Sequence, residues 1–363
     1  MFEDLQNDTG AVIKVIGVGG GGGNAISRMK ETIEDVTFIA ANTDIQALAS
    51  SNADVKLQLG KALTGGRGSG GKPEVGKRAA QESKKEIEEA LADANMVFIT
   101  CGEGGGTGTG AAPVIAEIAQ GLGALTIAVV TRPFSFEGSD RTKKSDAGIT
   151  ELKEHVDSMI IVPNDNLETL IDKNTPMLAA FGEVDNVLRQ SVQSISDLIN
   201  ANGVINLDFS DVESVMKDSG TAVIGIGLGT GEDRALEAAK QAVQSPLLEK
   251  NINGATKAIL NVTGGSNVTL YEVKQAVETI KAYAQTDLQV FFGTVINNNI
   301  SDDQVIVTVI ATGFEDEKKK DISLAADIHE EMPEVLEMGG STNTSYPAED
   351  DYILPSFLRD QNY

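Results

Sequence analysis

The sequence predicts an α/β fold: a doubly wound sheet, a long central helix, a second α+β domain and a disordered acidic C-terminal tail. Three observations predict it. Apolar runs alternate with helix-period segments through residues 11–165, the pattern of a sheet with helices on both faces. Two glycine runs, at 17–23 and 104–110, each stand between a strand pattern and a helix pattern. After Phe314 the chain turns acidic and loses any sustained period.

The elements follow in order. Strand patterns fall at 12–18, 37–41, 55–59, 96–100, 125–131 and 159–162, separated by helical patterns such as 74–92 and 110–121. Then Val184, Val187, Leu188, Val192, Ile195, Leu198 and Ile199 repeat at three and four, which predicts one long helix with Gly203 as its stop. A second domain follows: strand 222–227, helix 233–244, strand 257–262, helix 270–282, and strands 290–296 and 304–311. The expected divisions are an N-terminal tail 1–10, a ligand-binding domain 11–182, the helix 183–202, a loop and following segment 203–219, the second domain 220–314, an acidic linker 315–350 and a terminal peptide 351–363. Ile353, Leu354, Phe357 and Leu358 give that peptide an apolar cluster on an acidic tether, the form of a docking segment that folds on a partner.

Composition excludes several classes. Aromatic residues make up only 4% of the 363 and Trp is absent, so the core must be mostly Val, Ile, Leu and Ala. A net charge of −25 opposes direct nucleic-acid binding. A phosphate ligand must then be held by backbone donors and a metal ion rather than by a lysine patch. The single cysteine excludes an intrachain disulfide. The first ten residues are polar and acidic, so no secretory leader is expected, and no apolar stretch is long enough for membrane insertion. A cytoplasmic location is expected. His155 and His329 suit neither a zinc site nor a histidine-based nucleophile, so any catalysis is expected to rest on carboxylates and a metal.

Strand, glycines, helix start is a backbone geometry for phosphate. Glycine lets main-chain N–H groups approach the anion, and the helix N-terminus adds unpaired donors. Two such segments suggest a di- or triphosphate gripped from two sides. No Gly-x-x-x-x-Gly-Lys-Ser/Thr occurs, which excludes the P-loop. The Gly17-x-Gly19-x-x-Gly22 spacing alone would suit a dinucleotide oxidoreductase with Asp44 on the ribose, but leaves the second run unexplained.

Gly104 to Gly110 followed by Ala-Ala-Pro resembles the signature of the tubulin and FtsZ superfamily. The likeness to bacterial FtsZ extends over about residues 11–313. It is carried by Ile13-Lys-Val-Ile-Gly-Val-Gly through Asn24, Asn42-Thr-Asp44, Arg132-Pro-Phe-Ser-Phe-Glu-Gly138, Asn206-Leu-Asp-Phe-Ser-Asp211 and Val307-Thr-Val-Ile-Ala-Thr-Gly-Phe314. The resemblance implies a self-assembling GTPase that forms the division ring of bacterial cytokinesis, at mid-cell on the inner face of the membrane. A filament for plasmid or phage DNA segregation is the alternative.

By that resemblance Gly19, Gly20, Gly21, Gly22 and Asn24 hold the α- and β-phosphates, while Gly104, Gly105, Gly106, Thr107, Gly108, Thr109 and Gly110 cradle the β- and γ-phosphates. Asn42, Asp44, Gly70, Gly71, Thr131 and Asn164 are further nucleotide contacts. Glu137 is placed on the ribose and Arg141 near the sugar and phosphates. Phe181 would stack on the base, and Asp185 would accept from the N1–H and N2–H₂ edge that guanine has and adenine lacks. Asp208 and Asp211 would polarise the attacking water and Asn206 would sit near the γ-phosphate, entering from the next subunit of a head-to-tail homopolymer. GTP and Mg²⁺, with K⁺ as a further candidate, are the implied cofactors, although no dedicated metal-ligand cluster is readable. The terminal peptide implies FtsA-like or SepF-like adaptors.

Two departures stand out. The segment 66–73 carries Arg67, Ser69 and Lys72 where the family has small and amide residues, and Glu103 precedes Gly104 where the family usually has Met. The expectation is that the basic segment offsets the Glu103 charge.

Overall fold

The structure, a computed structural model, describes residues 10–167, 174–200, 205, 207–245, 248–297 and 300–314. The expectations for residues 1–9, Gly203, Asn206, the linker 315–350 and the peptide 351–363 lie outside them.

The first part runs β1 (Ile13–Val18), α1 (Gly19–Met29), β2 (Val36–Asn42), α2 (Ile45–Ser50), β3 (Val55–Gln58), α3 (Lys61–Thr64), α4 (Pro73–Glu82), α5 (Lys84–Leu91), β4 (Met96–Gly102), α6 (Thr107–Gly121), β5 (Leu125–Arg132), α7 (Ser139–Lys153), β6 (Ser158–Pro163) and α8 (Asn164–Leu167). The second runs α9 (Met177–Asn200), α10 (Phe209–Met216), β7 (Gly220–Thr230), α11 (Arg234–Val243), β8 (Lys257–Gly264), α12 (Leu270–Ala284), β9 (Gln289–Ile296) and β10 (Gln304–Thr312).

Strands β1, β4, β5 and β6 are apolar at nearly every position because helices cover both their faces. They pair in parallel in the order β3-β2-β1-β4-β5-β6. One core lies on each side. Phe38, Phe98 and the α9 residues Val192 and Ile195 share one; Ile99, Ile115 and Ile87 share the other. The second α+β domain continues this sheet: β7 pairs in parallel with β6 over Ser158–Ile160 and then antiparallel with β10, so that the described residues form one sheet of ten strands ordered onward β7-β10-β8-β9.

The helix expected over 74–92 is two helices. Ser83 breaks it: its side chain is buried and accepts from the Gly60 N–H at 3.0 Å, which ties the break to the end of β3. Helix α9 carries the three-and-four repeat but begins at Met177, before the expected start at 183; it has 24 residues, buries most of the apolar stripe, and is about 36 Å long at the helical rise of about 1.5 Å per residue. Among the described residues no helix is long and apolar enough to cross a membrane.

Candidate functional site

The C-terminal ends of β1, β2, β4 and β5 open onto one cleft. The first glycine run is not a free loop there. It forms the first turn of α1, whose N-cap Val18 supplies no side-chain cap, so the turn's N–H groups keep no capping partner. The five glycines differ in use. A Cβ on Gly22 would lie 2.3 Å from the Thr100 carbonyl oxygen, so this residue sets the contact between α1 and β4. A Cβ on Gly20 or Gly23 would meet nothing within 4 Å, and both line the cleft with Asn24 and Ser27.

The second run turns from β4 into α6, which begins at Thr107. Gly104 adopts φ +88°, the left-handed region that favours glycine, and its N–H donates to Thr109 Oγ1 at 2.9 Å. A Cβ there would strike Arg141 at 2.7 Å, so this loop packs directly on α7. Thr107 joins all three loops: its hydroxyl bonds Thr43 Oγ1 at 2.7 Å and Ser69 Oγ at 3.1 Å, with all three residues buried. Gly70 and Gly71 extend the third loop, where Lys144 Nζ donates to the Gly71 carbonyl at 3.2 Å.

Glu137, just before α7, organises its neighbours with one carboxylate. Glu137 Oε1 accepts from the Phe134 N–H at 2.8 Å and Oε2 pairs with Arg141 Nη1 at 2.8 Å. Phe134 stands edge-on to Phe181, with ring centroids 5.5 Å apart, bringing the start of α9 to the cleft. Asp185, one turn further, is 9% exposed. Burial pushes its carboxyl up to about 6, against the opposing pull of Arg28, whose Nε lies 3.2 Å from Oδ2. Asn42 and Thr131 are buried at their strand ends, and Asn42 Oδ1 accepts from the Asp44 N–H. Asn164 is also buried, and its Oδ1 has no partner, an acceptor left open at the cleft side of β6. Asp44 caps α2, accepting from the N–H groups of Gln46 and Ala47.

Asp208 and Asp211 are not at this cleft. They form a capping box at the start of α10: Asp208 Oδ1 accepts from the Asp211 N–H at 2.9 Å, and Asp211 Oδ2 from the Asp208 N–H at 3.3 Å. Each keeps a second carboxylate oxygen outside the box. Helix α9 lies between the two places. The segment after α10 returns to the N-terminal end of β6, where the Gly220 N–H bonds the Asp157 carbonyl. The two glycine runs sit at the opposite, C-terminal strand ends.

Glu103 corrects an expectation. Its carboxyl is 1% exposed and does not pair with the 66–73 segment. Oε1 accepts from Cys101 Sγ at 3.3 Å, while Oε2 has no hydrogen bond and lies where a Cβ on Gly148 of α7 would be 2.5 Å away. Burial raises it to about 7, against the pull of the Cys101 and Thr109 side chains and of Arg132, while Glu151 adds to the rise.

Thr43 and Arg28 are site neighbours that sequence reasoning passed over, and the bond from Ser69 to Thr107 is one it did not foresee. Nothing local marks them, since each acts through a partner distant in sequence.

Comparison with known proteins fits this geometry. Residues 12–172 match the Tubulin/FtsZ family, GTPase domain, and residues 220–315 match the FtsZ family, C-terminal domain. An FtsZ dimer from M. jannaschii shares 44% identity at a TM-score of 0.81, covering 86% of this chain and 90% of that one. The chain belongs to the tubulin/FtsZ family. It carries that family's GTPase domain followed by its FtsZ-type C-terminal domain. A second M. jannaschii FtsZ structure, a point mutant, matches at the same identity and TM-score, covering 86% of this chain and 94% of that one. CetZ2 from Haloferax volcanii, a GTPγS-bound protofilament, shares the fold at 20% identity and a TM-score of 0.73, covering 87% and 98% of the two chains.

Among the described residues no group of three His, Cys, Asp or Glu side chains could hold a metal ion.

Proposed function

We propose that this chain is a GTP-dependent, self-assembling GTPase of the division ring, whose active site is completed by the next subunit of a head-to-tail filament. The separation of the two carboxylates from the phosphate loops carries this reading. Asp208 lies beyond the far end of a helix about 36 Å long, whose near end holds Phe181 and Asp185. A side chain spans only a few ångströms, and the two halves stand at opposite strand ends, which supports a site shared between two chains. A head-to-tail neighbour would supply the second half, and a contact of that kind that does not close gives an open filament. The nucleotide cradle binds the phosphates through backbone donors, while Asp208, Asp211 and Asn206 orient the attacking water. Mg²⁺, when bound, shields the triphosphate charge and the leaving oxygens.

The test is GTP turnover per subunit against protein concentration, with Mg²⁺ and K⁺ present. Turnover absent below a threshold and rising above it is the expected result. Turnover independent of concentration would show a site complete in one chain and refute the reading. The terminal peptide is proposed to bind FtsA-like or SepF-like adaptors at mid-cell. Removing residues 350–363 is expected to spare assembly and abolish adaptor binding; lost assembly would contradict that division of labour.

A further inference from the structure

Guanine and adenine differ at one edge. Guanine offers two donors, N1–H and N2–H₂. Adenine offers an acceptor, N1, beside a donor, N6–H₂. An ionised carboxylate is two acceptors and matches guanine. A protonated carboxyl is a donor beside an acceptor and matches adenine. The charge state of the base-site carboxyl therefore decides which base it prefers.

Asp185 is held where that choice is close. It is buried at the start of α9, against the α1 face and near the Phe181 and Phe134 rings. Desolvation favours its neutral form. One group opposes this. Arg28, in the last turn of α1, places Nε 3.2 Å from Asp185 Oδ2. Its position is fixed from the other side by Gly182, where a Cβ would lie 2.6 Å from Arg28 Nη1. Other charges near α9 are engaged elsewhere. Asp197, further along α9 and also raised by burial to about 6, faces Gln193 and Arg189 rather than Asp185. Glu183 accepts from Asn186, Arg189 bonds Asn186 and Gln193, Asp165 of α8 accepts from the Ser135 N–H, and Arg132 of β5 pairs with Asp146 and Glu249.

We propose that Arg28 is a specificity-positioning residue of the base site: its guanidinium keeps Asp185 as the carboxylate that accepts both guanine donors. The inference rests on the guanine-nucleotide reading of this cleft. A carboxylate has about four lone-pair positions, so Oδ2 can serve Arg28 on one side while the pair serves the base on the other. Arg28 need not touch the base. It acts through Asp185, and its own side chain is 44% exposed, so its loss leaves the α1–α9 packing in place.

The experiment measures affinity for fluorescent GDP and ADP analogues from pH 5.5 to 8.5, with the full chain and with Arg28→Ala, Arg28→Lys and Asp185→Asn. In the unaltered chain GDP affinity is expected to fall below about pH 6. In Arg28→Ala the fall moves to higher pH. A midpoint raised by about one pH unit weakens GDP binding about fivefold at pH 6 and little at pH 8.5. Over the same range the preference for GDP over ADP shrinks. Arg28→Lys, which keeps the charge, restores most of the profile. An Arg28→Ala loss of equal size at every pH would overturn the proposal, because it would mark a merely structural role. So would an unshifted midpoint alongside an Asp185→Asn variant that binds GDP weakly. If Asp185→Asn binds GDP normally, the base-site reading itself fails, and this inference with it.

Discussion

Glu103 is a buried carboxyl with one oxygen unpartnered, and removing its charge makes a measurable prediction. In the folded chain its pKa is raised from 4.5 to about 7 by burial. The folded state thus keeps a proton that the unfolded chain releases. Its contribution to stability is unaffected below the unfolded value and becomes increasingly unfavourable as pH rises from about 4.5 through about 7. The rise of about two and a half pH units corresponds to about 3 kcal/mol at pH 7 and above, and to less than about 1 kcal/mol at pH 5. Glu103→Gln keeps the shape and the acceptor for the Cys101 thiol but cannot ionise. The variant is therefore expected to melt about 5 °C above the parent at pH 8, with the gap closing towards pH 5. Thermal unfolding of nucleotide-free protein in matched buffers between pH 5 and 8.5 measures it. A gap that stays constant across that range would refute the reasoning, since only ionisation makes the difference depend on pH. GDP affinity is expected to be unchanged or better in the variant, because the lost charge sits beside the second phosphate loop.

Two further substitutions separate folding from binding. Gly20→Ala projects a methyl into open cleft, so it should keep the parent's melting temperature and weaken GTP binding; Gly22→Ala drives a Cβ to 2.3 Å from the Thr100 carbonyl and should cost about 3 kcal/mol or more of stability. Equal melting temperatures for the two would contradict this assignment. In the second half of the sheet, Arg234 pairs with Glu272 at 2.5 Å, both buried, and Glu272 also closes the capping box of α12. Arg234→Ala strands that carboxylate and should destabilise by about 3 kcal/mol in chemical unfolding; a loss below about 1 kcal/mol would show that solvent reaches the pair.

What the sequence made legible was local. The apolar runs of β1 and β4 announced buried parallel strands, and the three-and-four repeat announced α9. The Glu137–Arg141 spacing announced the ion pair that forms. What stayed hidden depends on partners far along the chain. Ser83 splits a helix because of a bond to Gly60. The alternate glycines 225, 227 and 229 read as a weak strand, yet a Cβ on any of them would lie 2.0 Å or less from an α11 carbonyl oxygen, so they admit α11 onto β7. The continuity of the sheet rests on three residue pairs between β6 and β7, which no periodicity announces. The expected pairing of Glu103 with the basic 66–73 segment fails because sequence position gives no sign that the side chain turns back against Gly148.

Asp208 shows how a structural and a chemical role can be pulled apart at one residue. As the N-cap of α10 it accepts from the Asp211 N–H, which by itself would account for its presence. Asparagine caps a helix about as well as aspartate, whereas alanine costs about 1 kcal/mol. Asp208→Asn therefore preserves the cap and removes the charge that would polarise water. If the proposed intersubunit chemistry is right, Asp208→Asn melts like the parent and assembles with GTP, but turns GTP over far more slowly above the assembly threshold. Asp208→Ala loses stability as well as turnover. If Asp208→Asn keeps the parent's turnover while Asp208→Ala loses it, the residue matters only as a cap, and the water-polarising carboxylate must be sought at Asp211. Measuring the melt and the turnover on the same preparations makes the two readings exclusive, because the cap needs an acceptor oxygen and the chemistry needs its charge.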